Sequence, residues 1–264
     1  MGDVRIAWLE DGPADGPLAL CLHGFPDTAR TWRHLLPRLA EAGFRAVAPW
    51  LRGYAPSGMP ADGRFGTAAL AEDANALHQA LGGDERAVVV GHDWGASAAY
   101  GAVTTAPERW SRIVTLAVPR PSTLAAGFLT YDQLRRSWYI FFFQTWMADV
   151  AVPADDLRFL DRLWADWSPG YDASKDLVHV KQALGAPENL AAALGCYRAM
   201  FDPATPGAPD GPFEQPWLYL HGADDGCLGI ELVPDEAVVV KDAGHFLQLE
   251  QPDEVNGRIL EFLT

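Results

Sequence analysis

Cysteine is scarce in this chain of 264 residues. The three cysteines, Cys21, Cys196 and Cys227, are odd in number and lie far apart in the sequence. No Cys-x-x-Cys occurs, and no group of His and Cys has the spacing of a zinc site, which argues against a disulfide scaffold and a zinc module. Three reduced, buried thiols in a cytoplasmic protein are therefore expected.

Long apolar runs and positive charge are also lacking. The most aromatic segment, residues 138–146, is too short to span a bilayer. Residues 1–5 lack the apolar stretch of a signal peptide. Lys and Arg number 20 against 35 Asp and Glu, a formal charge of −15, which disfavours nucleic acid and anionic membranes as partners. We expect a cytoplasmic protein with neither partner, as a monomer or a homodimer.

What the sequence does contain is a strand, a sharp turn and a helix at residues 88–99. Three valines lead to Gly91, and small residues follow Gly95 at helical spacing. The turn reads Gly-x-Asp-x-Gly, the nucleophile-elbow pattern with Asp93 in place of the usual serine. The glycines leave room around a strained central residue. Because a helix N-terminus favours an anion, Asp93 is expected to stay ionised and to act as a nucleophile.

Strand and helix patterns alternate on either side of this turn. The predicted strands are residues 4–10, 18–22, 44–48, 88–90, 113–118, 217–220 and 237–240, and the predicted helices include residues 68–81 and 255–263. Gly43 and Gly82 follow two of the helical patterns as stop signals. This alternation predicts a mostly parallel sheet with helices on both faces.

The pattern changes after residue 119. Residues 120–213 contain no clear buried strand but carry several tryptophans and helical patterns interrupted by proline. We interpret this segment as an inserted helical cap that ends in a Pro/Gly-rich hinge. The predicted domains are a first part of the core (1–119), the cap (120–213) and a second part of the core (214–264).

Further polar residues follow other predicted strands. His245 comes just after the last strand and is the candidate general base, and an acid should lie between the nucleophile and this histidine. Asp225 fits a Gly-x-x-Asp pattern best, with Asp224 as the alternative. Because sites form where parallel strands end, these side chains are expected to converge. The backbone amides of Phe25, in His-Gly-Phe-Pro, and of Trp94 are expected to form an oxyanion hole.

The three motifs His-Gly-Phe-Pro (23–26), Gly-His-Asp-Trp-Gly (91–95) and Ala-Gly-His-Phe (243–246) resemble those of α/β-hydrolase fold epoxide hydrolases and the related haloalkane dehalogenases. The resemblance covers nearly the whole chain and implies the α/β-hydrolase fold with a helical cap. One departure is Trp50, which stands where many members carry Asp before Leu-Arg-Gly.

The cap segments around Tyr139 and Tyr197 resemble those that hold the two ring-opening tyrosines of epoxide hydrolases. Opening an epoxide creates an alkoxide, so two phenols facing Asp93 would supply the hydrogen-bond donors that this oxygen needs. The resemblance therefore implies hydrolysis of an apolar epoxide to a diol, with substrate contacts from Phe25, Trp94 and both tyrosines. It implies neither a metal nor an organic cofactor. Alternatively, both tyrosines are ordinary core aromatics.

Two other functions remain open. A haloalkane dehalogenase would use the same Asp93, Asp225 and His245, with Trp94 and a second tryptophan, Trp138 or Trp146, as halide ligands. A ligand-binding protein would reuse the fold without catalysis. Whether the aromatic side chains of Trp32, Phe128, Phe142 and Trp146 line an apolar pocket or belong to the core also stays open.

Overall fold

The computed structural model describes residues 4–264 and contains a seven-stranded sheet in the order β1-β3-β2-β4-β5-β6-β7. The strands are β1 (Trp8–Asp11), β2 (Leu18–Leu22), β3 (Arg45–Pro49), β4 (Val88–His92), β5 (Arg112–Leu116), β6 (Trp217–Gly222) and β7 (Val238–Val240). Strand β1 is antiparallel to β3, and every other pair is parallel. The predicted fold class is confirmed. The prediction that residues 1–5 are not part of a signal peptide falls partly on residues 1–3, which lie outside the described residues.

Burial of β2 on both faces explains its uninterrupted apolar sequence. Successive side chains of a strand point to opposite faces. Leu18, Leu20 and Leu22 accordingly pack into one hydrophobic cluster, whereas Ala19 and Cys21 pack into a second cluster on the other face. Helices cover both faces of the sheet, as the uninterrupted apolar sequence of β2 predicted.

The first strand begins later than predicted. Residues 4–7 are not part of the sheet, so the prediction of a strand over residues 4–10 is wrong at its start. Their backbone is instead used by the loop that follows β3: the amides of Trp50 and Gly58 donate to Ala7 O and Arg5 O at 2.9 and 2.8 Å. The alternation of apolar residues predicted a strand here, but it cannot show that a loop elsewhere in the chain forms hydrogen bonds with this backbone.

The helices follow the predicted periodicity. Those outside the segment between β5 and β6 are α1 (Leu36–Glu41), α2 (Thr67–Ala80), α3 (Trp94–Thr105), α11 (Leu247–Glu250) and α12 (Pro252–Leu263). Gly43 and Gly82 follow α1 and α2 with φ of 88° and 73°, conformations that only glycine adopts readily. No helix of residues 4–264 combines the length and apolar character needed to cross a membrane.

Seven helices lie between β5 and β6. They are α4 (Pro121–Gly127), α5 (Tyr131–Arg136), α6 (Trp138–Phe142), α7 (Ala148–Ala151), α8 (Ala154–Trp167), α9 (Ser174–Leu184) and α10 (Pro187–Ala199). We call residues 121–199 the helical insertion. In α8, residues 155–157 have positive φ, so regular right-handed helix begins after them. All seven helices fall within the predicted cap, residues 120–213, whose boundaries stay a prediction.

Candidate active site

The turn between β4 and α3 presents Asp93 at the carboxyl edge of the sheet. Asp93 has φ of 54° and ψ of −119°, a strained conformation for a residue with a side chain. A Cβ atom at Gly91 would overlap the backbone of Gly95, and one at Gly95 would overlap the backbone of Leu22. Both glycines are therefore required by close packing, as the elbow pattern predicted.

The Asp93 carboxylate is held from the loop after β2. The amide of Phe25 donates to Asp93 Oδ1 at 2.7 Å, and both residues are buried. Phe25 thus lies where one predicted oxyanion-hole donor should be. The Phe25 amide is the backbone amide seen to donate to this carboxylate within residues 4–264, so the role of the Trp94 amide as the second donor stays a prediction.

The loops after β6 and β7 bring Asp225 and His245 to the same place. His245 Nδ1 lies 3.0 Å from Asp225 Oδ2, and Nε2 lies 3.6 Å from Asp93 Oδ2. Asp225 Oδ1 accepts the amides of Cys227 and Leu228 at 2.7 and 3.0 Å. Because Asp224 is exposed whereas Asp225 is buried against the imidazole, the geometry favours Asp225 as the acid.

Two carboxylates facing one imidazole determine its charge. Burial alone would lower the pKa of His245, but Asp225 and Asp93 together outweigh it and raise this pKa to about 10. Burial opposes ionisation of Asp225, yet its pKa is lowered, mainly because His245 is adjacent. In the free protein, the contacts with Asp225 and Asp93 therefore favour the imidazolium form of His245.

The Asp93→Asn substitution should lower the pKa of His245 by roughly 1 to 3 pH units, because it removes one of the two charges that favour the imidazolium. NMR titration of the His245 ring measures this change, with the resonance assigned by its loss in His245→Gln. Asp224→Asn is the matched control, since this exposed neighbour should leave the titration unchanged. An unaltered pKa in Asp93→Asn would show that Asp93 does not interact with the imidazole.

Buried His23 and His92 support the site, and neither supporting role was predicted. His23 Nε2 accepts the Leu51 amide at 3.0 Å, while Nδ1 lies 2.8 Å from Gly24 O. His92 Nε2 lies 2.9 Å from His245 O, so this nitrogen must be the donor. Burial lowers their pKa values to about 4 and about 3, which keeps both rings neutral. The sequence feature that could have indicated these roles is the position of the two histidines inside the motifs, next to Gly24 and Asp93.

Tyr139 and Tyr197 come from α6 and α10 and meet above Asp93. Their ring centroids are 5.7 Å apart, and both side chains line the cavity into which Asp93 opens. The hydroxyl of Tyr139 is 3.3 Å from Cys227 Sγ, whereas the buried hydroxyl of Tyr197 has no partner within residues 4–264. Burial raises the pKa values of both phenols well above 10, so both remain protonated donors.

The cavity has a volume of about 270 Å³ and a mainly apolar wall. Its apolar side chains include Val118, Leu124, Phe128, Ile140, Met200 and Leu228. Asp93 provides the formal charge of this cavity among its described lining residues. A neutral apolar molecule would fit this environment, whereas an anion would lose hydration and would also be repelled by the Asp93 carboxylate.

Only one of the four aromatic residues considered for the pocket lines this cavity. Phe128 does, whereas Trp32 is buried in the cluster on the opposite face of the sheet. Phe142 packs on Phe159, with ring centroids 5.7 Å apart, and Trp146 is 74% exposed. Helical periodicity places aromatics on a face but does not determine which face meets the cavity.

Three potential metal ligands occur in the same region. Ligand atoms of Asp225, Cys227 and His245 lie within 4.8 Å of one another. These atoms already have protein partners, because Asp225 contacts His245 Nδ1 and the Cys227 thiol contacts Tyr139. Burial also raises the pKa of Cys227 well above 9, which opposes formation of a thiolate ligand. The contacts thus fit hydrogen bonding among side chains better than metal binding.

A sharp turn after β4 that presents one side chain at the edge of this sheet, with an acid and a histidine on later loops, is the arrangement found in α/β hydrolases. Residues 17–252 match the sequence model of the alpha/beta hydrolase fold family, and the chain belongs to this family. The expectation of a hydrolase is thereby confirmed.

Within this family the chain is similar to epoxide hydrolases. It is 30% identical to epoxide hydrolase A of Mycobacterium tuberculosis over 99% of this chain and 94% of the relative. It is also 30% identical to epoxide hydrolase 1 of Caenorhabditis elegans, over 99% and 68% of the two chains. The crystal structure of a Bacillus megaterium epoxide hydrolase with an inhibitor matches with a TM-score of 0.82 at 26% identity, over 98% and 97% of the chains. The predicted resemblance is confirmed.

Proposed function

We propose that this protein hydrolyses a neutral, apolar epoxide to a vicinal diol. The observation that carries the proposal is the pair of buried, protonated phenols, Tyr139 and Tyr197, in one apolar cavity with Asp93. An epoxide carbon needs a nucleophile, and the departing oxygen needs donors on the other side of the ring. The names of the similar proteins agree with this chemistry.

In the first step, Asp93 attacks an epoxide carbon. A bond forms between a carboxylate oxygen and that carbon, the ring C–O bond breaks, and a phenol donates its proton to the resulting alkoxide. The imidazolium of His245 then supplies the proton that restores the phenol. The product of this half-reaction is a hydroxyalkyl ester on Asp93, beside a neutral His245.

The charge balance explains why His245 becomes a base only after this step. Esterification removes the Asp93 charge, one of the two that raise the pKa of His245. The neutral imidazole then takes a proton from water, and the hydroxide attacks the ester carbonyl. The Phe25 amide, with Trp94 as the proposed second donor, stabilises the oxyanion. The water's other proton passes to the departing alkoxide, which leaves Asp93 ionised, His245 protonated and the diol free.

The proposal is tested by incubating the purified protein with styrene oxide and, separately, with a bromoalkane, and by measuring diol and bromide. We expect diol from the epoxide and no bromide. Bromide without diol would mean that the protein is a haloalkane dehalogenase in which Asp93 is still the nucleophile. Ligand binding without either product would favour a non-catalytic homologue, and so would contradict the proposal.

Replacing both Tyr139 and Tyr197 by Phe should reduce the rate of ester formation by about 10²- to 10⁴-fold, because the alkoxide then lacks its acid. Each single substitution should cost less, since one phenol remains. The rate is measured by the appearance of the covalent ester on Asp93 in rapid-quench mass spectrometry under single-turnover conditions. Tyr131→Phe is the matched control, because Tyr131 lies on the same helical insertion but is 75% exposed. Full activity in the double variant would identify both phenols as ordinary core aromatics.

One observation favours a second candidate, haloalkane dehalogenation. Trp94 lines the cavity, and its buried indole Nε1 lies near the Tyr197 hydroxyl without a hydrogen bond of regular geometry within residues 4–264, so a halide in the cavity would have this N–H as a donor. The second tryptophan of this alternative was expected at position 138 or 146. Trp138 and Trp146 are 46% and 74% exposed and neither lines the cavity, so this halide site would be incomplete.

A further inference from the structure

The end of α8 contacts both loops that carry the predicted acid and base. The carbonyl oxygen of Trp167 accepts two backbone amides, that of Gly226 at 3.1 Å and that of His245 at 3.0 Å. Gly226 follows Asp225 directly. One carbonyl of the helical insertion therefore connects the loop of Asp225 to the backbone of His245, although neither loop belongs to the insertion.

The next residue, Ser168, extends these contacts to both neighbours of His245. Its hydroxyl donates to Glu250 Oε1 at 2.6 Å and accepts the Phe246 amide at 3.1 Å. Glu250 Oε2 accepts the Gly244 amide at 2.8 Å. The backbone amides of residues 244, 245 and 246 are thus bonded to Glu250, Trp167 and Ser168, respectively.

Two glycines make this approach possible. A Cβ atom at Gly244 would lie 2.6 Å from Trp167 O and from Ser168 Cα, and one at Gly226 would overlap Asp166 O. The loops after β6 and β7 therefore meet α8 at backbone distance. At positions 226 and 244, glycine is required because the backbones lie so close together, and not because of an unusual φ angle.

Aromatic packing also holds the end of α8 against the loop that carries His245. The rings of Trp164 and Phe246 stack with centroids 3.5 Å apart, and Trp167 packs edge-on against the His245 ring at 5.2 Å. Trp164 Nε1 also donates to Pro26 O at 2.8 Å, next to Phe25. Around His245, rotation of the loop is thus restricted by hydrogen bonds and by ring contacts.

We propose that Ser168 and Glu250 are positioning residues that hold His245 in the alignment required for hydrolysis of the Asp93 ester. They touch neither Asp93 nor the cavity and act through the backbone on either side of His245. This inference rests on the proposed function. Alignment matters because a displacement of about 1 Å in a catalytic group can cost about 10²-fold in rate.

The proposal separates the two chemical steps. Attack by Asp93 does not require His245 as a base, whereas ester hydrolysis does. Ser168→Ala should therefore slow ester hydrolysis by about 10- to 100-fold and leave ester formation within about 2-fold of the parent rate. Glu250→Gln should have a smaller effect, because the amide oxygen still accepts the Gly244 amide. Rapid-quench mass spectrometry with styrene oxide measures both rate constants.

The matched control is Ser111→Ala, which removes a hydrogen-bonded serine hydroxyl away from the site, one that donates to the carbonyls of Arg86 and Ala87. It should leave both rate constants unchanged. Equal slowing of both steps in Ser168→Ala, or a lower melting temperature with unchanged rates, would reduce the contact to a structural role and overturn the proposal.

A readout without substrate distinguishes this inference from the proposed function. NMR titration of His245 should give a lower pKa in Ser168→Ala, because a loosened loop weakens the interaction of the imidazolium with Asp225 and Asp93. An unchanged titration would overturn the positioning role even if styrene oxide is hydrolysed. A lowered pKa in a protein that opens no epoxide would retain the positioning role and reject the epoxide as substrate. If Ser168→Ala does not fold, the same titration of Ser168→Gly decides, because this variant also lacks the hydroxyl but leaves the charge of Glu250 in place.

Discussion

Replacing Asp93 by Asn should abolish diol formation, with a loss of at least about 10⁴-fold. A neutral amide is a poor nucleophile and cannot form the ester through which the proposed reaction passes. The fold should tolerate the change, because the amide oxygen can still accept the Phe25 amide. Steady-state assays with styrene oxide measure the loss.

Two comparisons make this result specific to the nucleophile. Asp224→Asn removes a neighbouring exposed carboxylate and should retain full activity. Circular dichroism and the melting temperature of Asp93→Asn should stay near those of the parent protein. Diol formed by Asp93→Asn at a substantial fraction of the parent rate would mean that water attacks the epoxide directly, and the covalent mechanism would be wrong.

His245→Gln should trap the covalent intermediate. Asp93 still attacks the epoxide, but no base activates the hydrolytic water, so hydrolysis should slow by about 10²- to 10⁴-fold. The protein should then gain the mass of one substrate molecule, which intact-protein mass spectrometry detects. Peptide mapping should locate the added mass on the peptide that contains Asp93.

The Asp93→Asn/His245→Gln double variant provides the control for this experiment, because without the nucleophile no mass should be added. His179→Gln, which alters a partly exposed histidine of the helical insertion away from the cavity, should turn over normally. His245→Gln that stays unmodified after exposure to a substrate hydrolysed by the parent protein would contradict the ester mechanism. Rapid turnover by this variant would show that His245 is not the base.

Local sequence predicted the parts of the molecule that local forces determine. Strand β2 and the elbow after β4 follow from short apolar runs and from glycines required by packing. Convergence of Asp93, Asp225 and His245 could be expected because loops at the carboxyl ends of parallel strands share one edge. The geometry also favours Asp225 over Asp224, a choice that the Gly-x-x-Asp pattern already suggested.

The features that escaped prediction depend on contacts between distant segments. Ser168 and Glu250 are 82 positions apart, and each looks like an ordinary polar residue at the end of a helix. The late start of β1 depends on the loop after β3, and the outward direction of Trp146 depends on how α7 packs. Periodicity predicts which residues share one face of a helix or strand, but it does not predict which part of the protein packs against that face.

The hydrophobic cluster shared by the sheet and the helical insertion has a consequence for substrate exchange. Phe25, from the loop after β2, contacts Phe143 and Tyr197 of the insertion with ring centroids 5.8 and 5.1 Å apart. Lifting the insertion as a rigid lid would expose such surfaces to water, at a cost of roughly 25 cal/mol for each Å² of apolar area. Ligand traffic is therefore cheaper through small rotamer changes at the rim, where Phe128 and Met200 line the cavity. Phe128 and Met200, which take no part in the proposed chemistry, would then influence which molecules enter and how quickly products depart.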